Sequence, residues 1–130
     1  MSPVRILVSI ASVLISGSLF AGAAQPYIPV EVDYVNMYAS GYMLAARSSK
    51  NDFEAIGCAV SVNAEGASSG LCQAVDPDGN QITCRFYDNE FLTRAVHGIS
   101  DYSFVGFGWD EFENCTSIRV SHRSFYLPKK

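Results

Sequence analysis

The sequence predicts a mainly β domain, a small antiparallel sheet or sandwich with one short α-helix packed on it and two disulfides. Three observations carry that expectation. Short segments rich in Val, Ile, Thr and aromatic residues recur between turn signals. Only one segment combines helical periodicity with signals at both ends. Four cysteines, Cys58, Cys72, Cys84 and Cys115, all follow an apolar leader.

The leader is the first element. "MSPVR" supplies one positive charge, "ILVSIASVLISGSLF" is an apolar run, and "AGAA" offers small residues of the kind signal peptidase cuts. The run carries serines and a glycine and is short for a span of about 20 apolar residues, so a cleaved signal peptide (1–24) is expected rather than a membrane anchor. Residues 25–130 then form a single domain without a membrane span, secreted or periplasmic. An even number of cysteines in an exported chain is expected to oxidise.

After the leader, "QPYIPVEVDY" carries two prolines and then alternates Val30, Val32 and Tyr34 against Glu31 and Asp33, the pattern of an edge strand after an irregular arm. "YASGYMLAARSS" reads as a strand from about Tyr42 to Ser48. "FEAIGCAVSVN", "SSGLCQAV" and "QITCRFY", separated by "AEG" and "DPDGN", read as a three-strand meander with Cys58, Cys72 and Cys84 one to a strand. In "DPDGN", Pro77 presets φ and Gly79 accepts positive φ. The loop echoes the start of a calcium site, but glycine is missing at its sixth position and Tyr87 stands where the twelfth needs Glu, so it reads as a turn.

The helix is "DNEFLTRAVHG". Asp88 or Asn89 can cap it, Glu90 lies in the first turn, Phe91, Leu92, Ala95 and Val96 make an apolar stripe, and Gly98 stops it. Two strands, "YSFVGFGW" and "TSIRVSHRSFY", follow, joined by the acidic turn "DEFEN".

A DPDGN loop centred near Asp78 sets Cys72 opposite Cys84, so the preferred pairing is Cys72–Cys84 with Cys58–Cys115. The second choice is Cys58–Cys72 with Cys84–Cys115, and spacing does not decide between them. No Cys-x-x-Cys knuckle exists, and His97 and His122 have no ligand-like spacing, so neither a metal nor a cofactor is assigned.

Candidate binding residues are Tyr102, Trp109, Asp110, Arg119 and Arg123. Along "YSFVGFGW", Ser103, Val105, Phe107 and Trp109 point one way and Tyr102, Phe104, Gly106 and Gly108 the other. Both faces are partly apolar, as in a central strand with one face in the core and the other under a helix or loop. The glycines either seat a neighbouring aromatic or leave a shallow groove, and in the second case Trp109 with Tyr102 at its rim would stack on a sugar or hold a partner's aliphatic side chain. Asp110, with Glu111, Glu113 and Asp101, forms an acidic cluster that a solvated turn explains without a cation. Arg119 and Arg123 share a strand face with Ser121 and make a small positive strip suited to an acidic partner.

No catalytic residue is assigned. His97, His122, Ser121, Ser124 and Asp101 are the available groups, but no Gly-x-Ser-x-Gly elbow or His-Glu-x-x-His pair is present. The formal net charge of −4 argues against nucleic acid and anionic membranes as partners. Asn114-Cys115-Thr116 matches a glycosylation acceptor pattern.

The succession "IGCAV", "LCQAVDPDGNQITC", "EFLTRAV", "YSFVGF" and "CTSIRVSHRSFYLPK" resembles small exported two-disulfide proteins of bacteria without assigned function. The resemblance covers about Gly41 to Lys129 and implies export and disulfides, but no activity. With no catalytic constellation, no free thiol and no cofactor loop, set against a tyrosine-rich exported surface, the expected function is a secreted interaction module directed at a protein, of inhibitor or immunity type. A carbohydrate- or cell-envelope-binding module is the alternative, and a hydrolase without a recognisable motif is third.

Overall fold

The computed structural model describes residues 22–23 and 27–128. The expected leader falls outside the described residues except for 22–23, as do Lys129 and Lys130 of the tail. Among the described residues no helix is long and apolar enough to cross a membrane.

Among the described residues seven strands form two antiparallel sheets. The first sheet contains β1 (Glu31–Asp33), β2 (Tyr38–Tyr42), β6 (Phe104–Trp109) and β7 (Cys115–Ser121), in the order β1-β2-β6-β7. The second is the meander β3 (Ala55–Val62), β4 (Ser68–Val75) and β5 (Gln81–Tyr87). Helix α1 (Met43–Arg47) follows β2, α2 (Glu90–His97) links the sheets, and a 3-10 turn (Ser124–Tyr126) follows β7. The core lies between the sheets, with Ile56, Ala74, Ile82 and Phe86 on one side and Ala39, Val105, Phe107 and Trp109 on the other.

Two segments differ from the sequence reading. The strand expected over Tyr42 to Ser48 is helix α1, and the strand lies one step earlier, over Tyr38–Tyr42. Met43, Leu44, Ala45, Ala46 and Arg47 are all strong helix formers, and that local preference governs the segment. At the other end, "SFY" is not strand but the 3-10 turn, which folds back so that Tyr126 packs on Tyr42 and Phe104 at ring distances of 5.1 and 6.2 Å.

Helix α2 begins and ends as its end signals direct. The Asn89 side chain accepts from Leu92 N–H at 3.0 Å, and the helix stops at Gly98. Leu92, Val96 and Ile99 reach the core, whereas Phe91, first in the predicted stripe, is 79% exposed.

Three hairpin loops share one construction. Asn63 to Ala67, Asp76 to Asn80 and Asp110 to Asn114 each close with a backbone bond from the first residue's N–H to the fifth residue's carbonyl, at 3.0, 2.9 and 3.0 Å. In each, the first side chain also accepts from the backbone N–H groups of the third and fifth residues. The fourth residue takes positive φ, 84° at Gly66, 85° at Gly79 and 60° at Glu113, as three-residue hairpin loops with a bulge require.

The disulfides are Cys58–Cys72 and Cys84–Cys115, so the preferred pairing, Cys72–Cys84 with Cys58–Cys115, is not the one formed. Cys72 does lie opposite Cys84, but it also lies opposite Cys58 on its other side. In an antiparallel ladder the N–H and C=O of one residue point the same way, so Cys72 is hydrogen-bonded to one neighbour only. Alternation from the Asp76–Asn80 bond makes Cys72↔Cys84 a hydrogen-bonded pair, whereas alternation from the Asn63–Ala67 bond makes Cys58↔Cys72 a non-hydrogen-bonded one. Side chains stand closer at non-hydrogen-bonded pairs, and the bridge forms there, with Cα atoms 4.0 Å apart. Cys84 is left to reach across to Cys115 on β7, which ties the two sheets together.

Candidate functional site

The site residues are distributed by the β6–β7 ladder. Its register pairs Phe104 with Ser121, Gly106 with Arg119 and Phe107 with Ile118. Alternation then sends Val105, Phe107, Val120 and Ile118 inward and leaves Phe104, Ser121 and Arg119 on the outer face. The 3-10 turn folds over one end of that face. The result is a groove of about 280 Å³ with a floor of Phe104, Phe125 and Tyr126, and with Ile28, Arg119, Ser121 and Arg123 around it.

Two further depressions involve the candidate residues. Arg123 is also a wall of a groove of about 290 Å³ formed with Ser100, Tyr102, His122, Ser124 and Leu127. Tyr102 in turn also lines a cavity of about 590 Å³, with Met43, Leu44, Ala46 and Ile56 among its apolar residues and Arg47, Asp52, Glu54 and Asp101 among its polar ones. Tyr102 and Arg123 therefore each line two depressions.

The guanidinium groups dominate the first groove. Among the described residues the ion pair within 4 Å is Arg94–Glu90, on the exposed face of α2, and Arg119 and Arg123 have no carboxylate against them. Arg123 instead lies over the Phe125 ring, 5.7 Å from its centroid, a cation–π contact. Ser121, between the two arginines in sequence, has its Oγ 3.2 Å from Tyr126 Oη.

In the neighbouring groove His122 Nδ1 lies 3.0 Å from Ser103 Oγ and 3.4 Å from Ser100 Oγ. Ser103 is fully buried, and its oxygen also accepts from Ser100 N–H at 2.9 Å. A buried hydroxyl so engaged anchors the imidazole and closes the turn before β6. It is not presented to a substrate as a nucleophile would be.

Two of the sequence candidates fall elsewhere. Trp109 is 7% exposed and packs on Phe107, with ring centroids 6.0 Å apart, so it belongs to the core and forms no rim for stacking on a sugar. The space above Gly106 is filled by the Tyr38 phenol, and that beside Gly108 by Ser117 and Thr116, so the shallow groove at the two glycines is absent. Asp110 is consumed by its own turn, where its carboxylate accepts from Phe112 N–H, Asn114 N–H and Asn114 Nδ2 at 2.9, 2.9 and 3.1 Å. The Asn114 N–H, with help from the Asn114 side chain and Phe112 N–H, holds that carboxyl below the usual carboxylate range despite partial desolvation.

Sequence reasoning did not find Ile28, Phe125 and Tyr126 as groove residues, nor the Ser103–His122 contact. The contact had a signal, because Phe104↔Ser121 pairing places Ser103 opposite His122 across the strand ends. The aromatic floor had none, since it depends on the chain turning back after Arg123. No family model, no curated protein and no solved structure matches the chain.

Proposed function

We propose that this protein is an interaction module that acts outside the cytoplasm and takes an acidic segment of a protein partner into the groove between β7 and the 3-10 turn. The observation that carries the reading is the pair Arg119 and Arg123, which line one groove with no carboxylate within 4 Å among the described residues, on a chain of net charge −4. A planar guanidinium matches a carboxylate with two parallel hydrogen bonds, and two such groups along a strand face suit a segment with more than one Asp or Glu. Phe104 and Phe125, both half-buried, offer the apolar parts of that segment a surface. Two disulfides suit an oxidising compartment, and an inhibitor or immunity protein is the kind of module that would use such a site.

The test is fluorescence anisotropy of a labelled hexaglutamate peptide titrated with the oxidised protein at low and high salt. Binding is expected at low salt, weakening as salt screens the pair. Arg119→Ala and Arg123→Ala should each weaken it about fivefold, equivalent to about 1 kcal/mol, and Arg85→Ala on the other sheet should leave it unchanged. Equal binding of hexalysine, or indifference to both groove substitutions, overturns the reading.

A further inference from the structure

The four cysteines make one row of sulfur through the interior. Cys58, Cys72 and Cys84 stand opposite one another on β3, β4 and β5, and Cys115 joins the row through Cys84. The Sγ atoms of Cys72, Cys84 and Cys115 lie within 4.8 Å of one another, although Cys72 belongs to a different disulfide from the other two. Cys72 and Cys84 are fully buried and Cys115 nearly so, whereas Cys58, on the edge strand of the meander, is only partly buried.

We propose that Cys58 is the entry point for an external thiol and that reduction there is passed inward by disulfide exchange. A thiolate of a small thiol or dithiol attacks Cys58 Sγ, the Cys58–Cys72 bond breaks, and Cys72 leaves with the electron pair as a thiolate. A second thiol of the reductant resolves the mixed disulfide, so Cys58 ends as a thiol and the reductant is oxidised by two electrons. The Cys72 thiolate then attacks Cys84 Sγ, its cross-strand neighbour. The Cys84–Cys115 bond breaks, and Cys115 leaves as a thiolate and takes up a proton. One disulfide has been reduced and the other has moved.

The moved bond changes what is cross-linked. Cys84–Cys115 ties β5 to β7 and hence one sheet to the other, while Cys72–Cys84 ties two strands already paired in one sheet. Reduction of the bond nearest the surface therefore releases the covalent tie between the sheets. In the oxidised protein the exchange does not start, because all four cysteines are paired and no thiolate is present to attack Cys84.

Partial reduction of the native protein with dithiothreitol, followed by acid quench, alkylation and mass mapping, tests the exchange. The one-disulfide pool is expected to contain Cys72–Cys84 with Cys58 and Cys115 alkylated. A pool made only of Cys84–Cys115, with Cys58 and Cys72 alkylated, overturns it. Cys58→Ser supplies the second arm, because it leaves Cys72 unpaired without any reductant. That variant is expected to hold Cys72–Cys84 beside Cys84–Cys115, and Cys84–Cys115 alone would count against the exchange.

Discussion

The Tyr38 phenol lies where a β-carbon on Gly106 would stand, so the aromatic ring and the missing side chain are one feature of the outer sheet face. Tyr38 pairs with Gly108 in the β2–β6 ladder and leans along the strand over Gly106. Gly106→Ala should displace the ring and cost about 1–3 kcal/mol, the usual range for overpacking. Gly57→Ala is the control, since a β-carbon there meets nothing within 4 Å. Urea unfolding is expected to show a lower midpoint for the first variant and an equal or higher one for the second.

Glu113 occupies the position that Gly66 and Gly79 fill in the two sister loops, at a φ of 60°. A residue with a β-carbon is strained there by about 1–2 kcal/mol, and glycine's greater freedom in the unfolded chain offsets part of the relief. Glu113→Gly should therefore stabilise the protein by about 0.5–1 kcal/mol. Thermal unfolding should show a higher midpoint, and an unchanged or lower one would mean that the side chain supplies a compensating contact.

Asp33 and Asp110 are both held below the usual carboxylate range, Asp33 chiefly by Asn36 N–H and Asp110 chiefly by Asn114 N–H. A carboxyl whose pKa is lower folded than unfolded stabilises the fold above its unfolded value, about 3.9, and that contribution fades as pH falls through the folded value. Urea midpoints should therefore hold steady from pH 7 to about 5 and drop below about 4. Asp110→Asn keeps an acceptor oxygen but loses the charge, so it should be less stable at neutral pH and approach the native curve in acid. Parallel curves would exclude the carboxylate charge as the cause.

Much of the fold was legible because its signals were local. The meander, the α2 cap at Asn89 and the edge position of β1 follow from turn residues, side-chain capping and prolines a few positions apart. Where two local signals competed, the reading failed. Tyr42 to Ser48 mixes an aromatic strand former with Met43-Leu44-Ala45-Ala46-Arg47, and helix preference prevailed. The disulfides failed for a subtler reason, because facing is not enough. Cys72 faces two partners, and only the parity of hydrogen bonds counted from the Asn63 and Asp76 turns separates them. At the groove, Arg119 and Arg123 were legible from strand alternation, but their aromatic floor depends on Tyr126 packing back on Phe104, a contact no periodicity encodes.

The most direct test of an acidic-segment site between β7 and the 3-10 turn is a backbone NMR shift map of the oxidised protein as hexaglutamate is added. The account predicts that the largest shifts fall on Arg119, Ser121, Arg123 and Phe125 and shrink with added salt. Shifts centred on another face, or none at peptide concentrations that saturate the anisotropy signal, would contradict it.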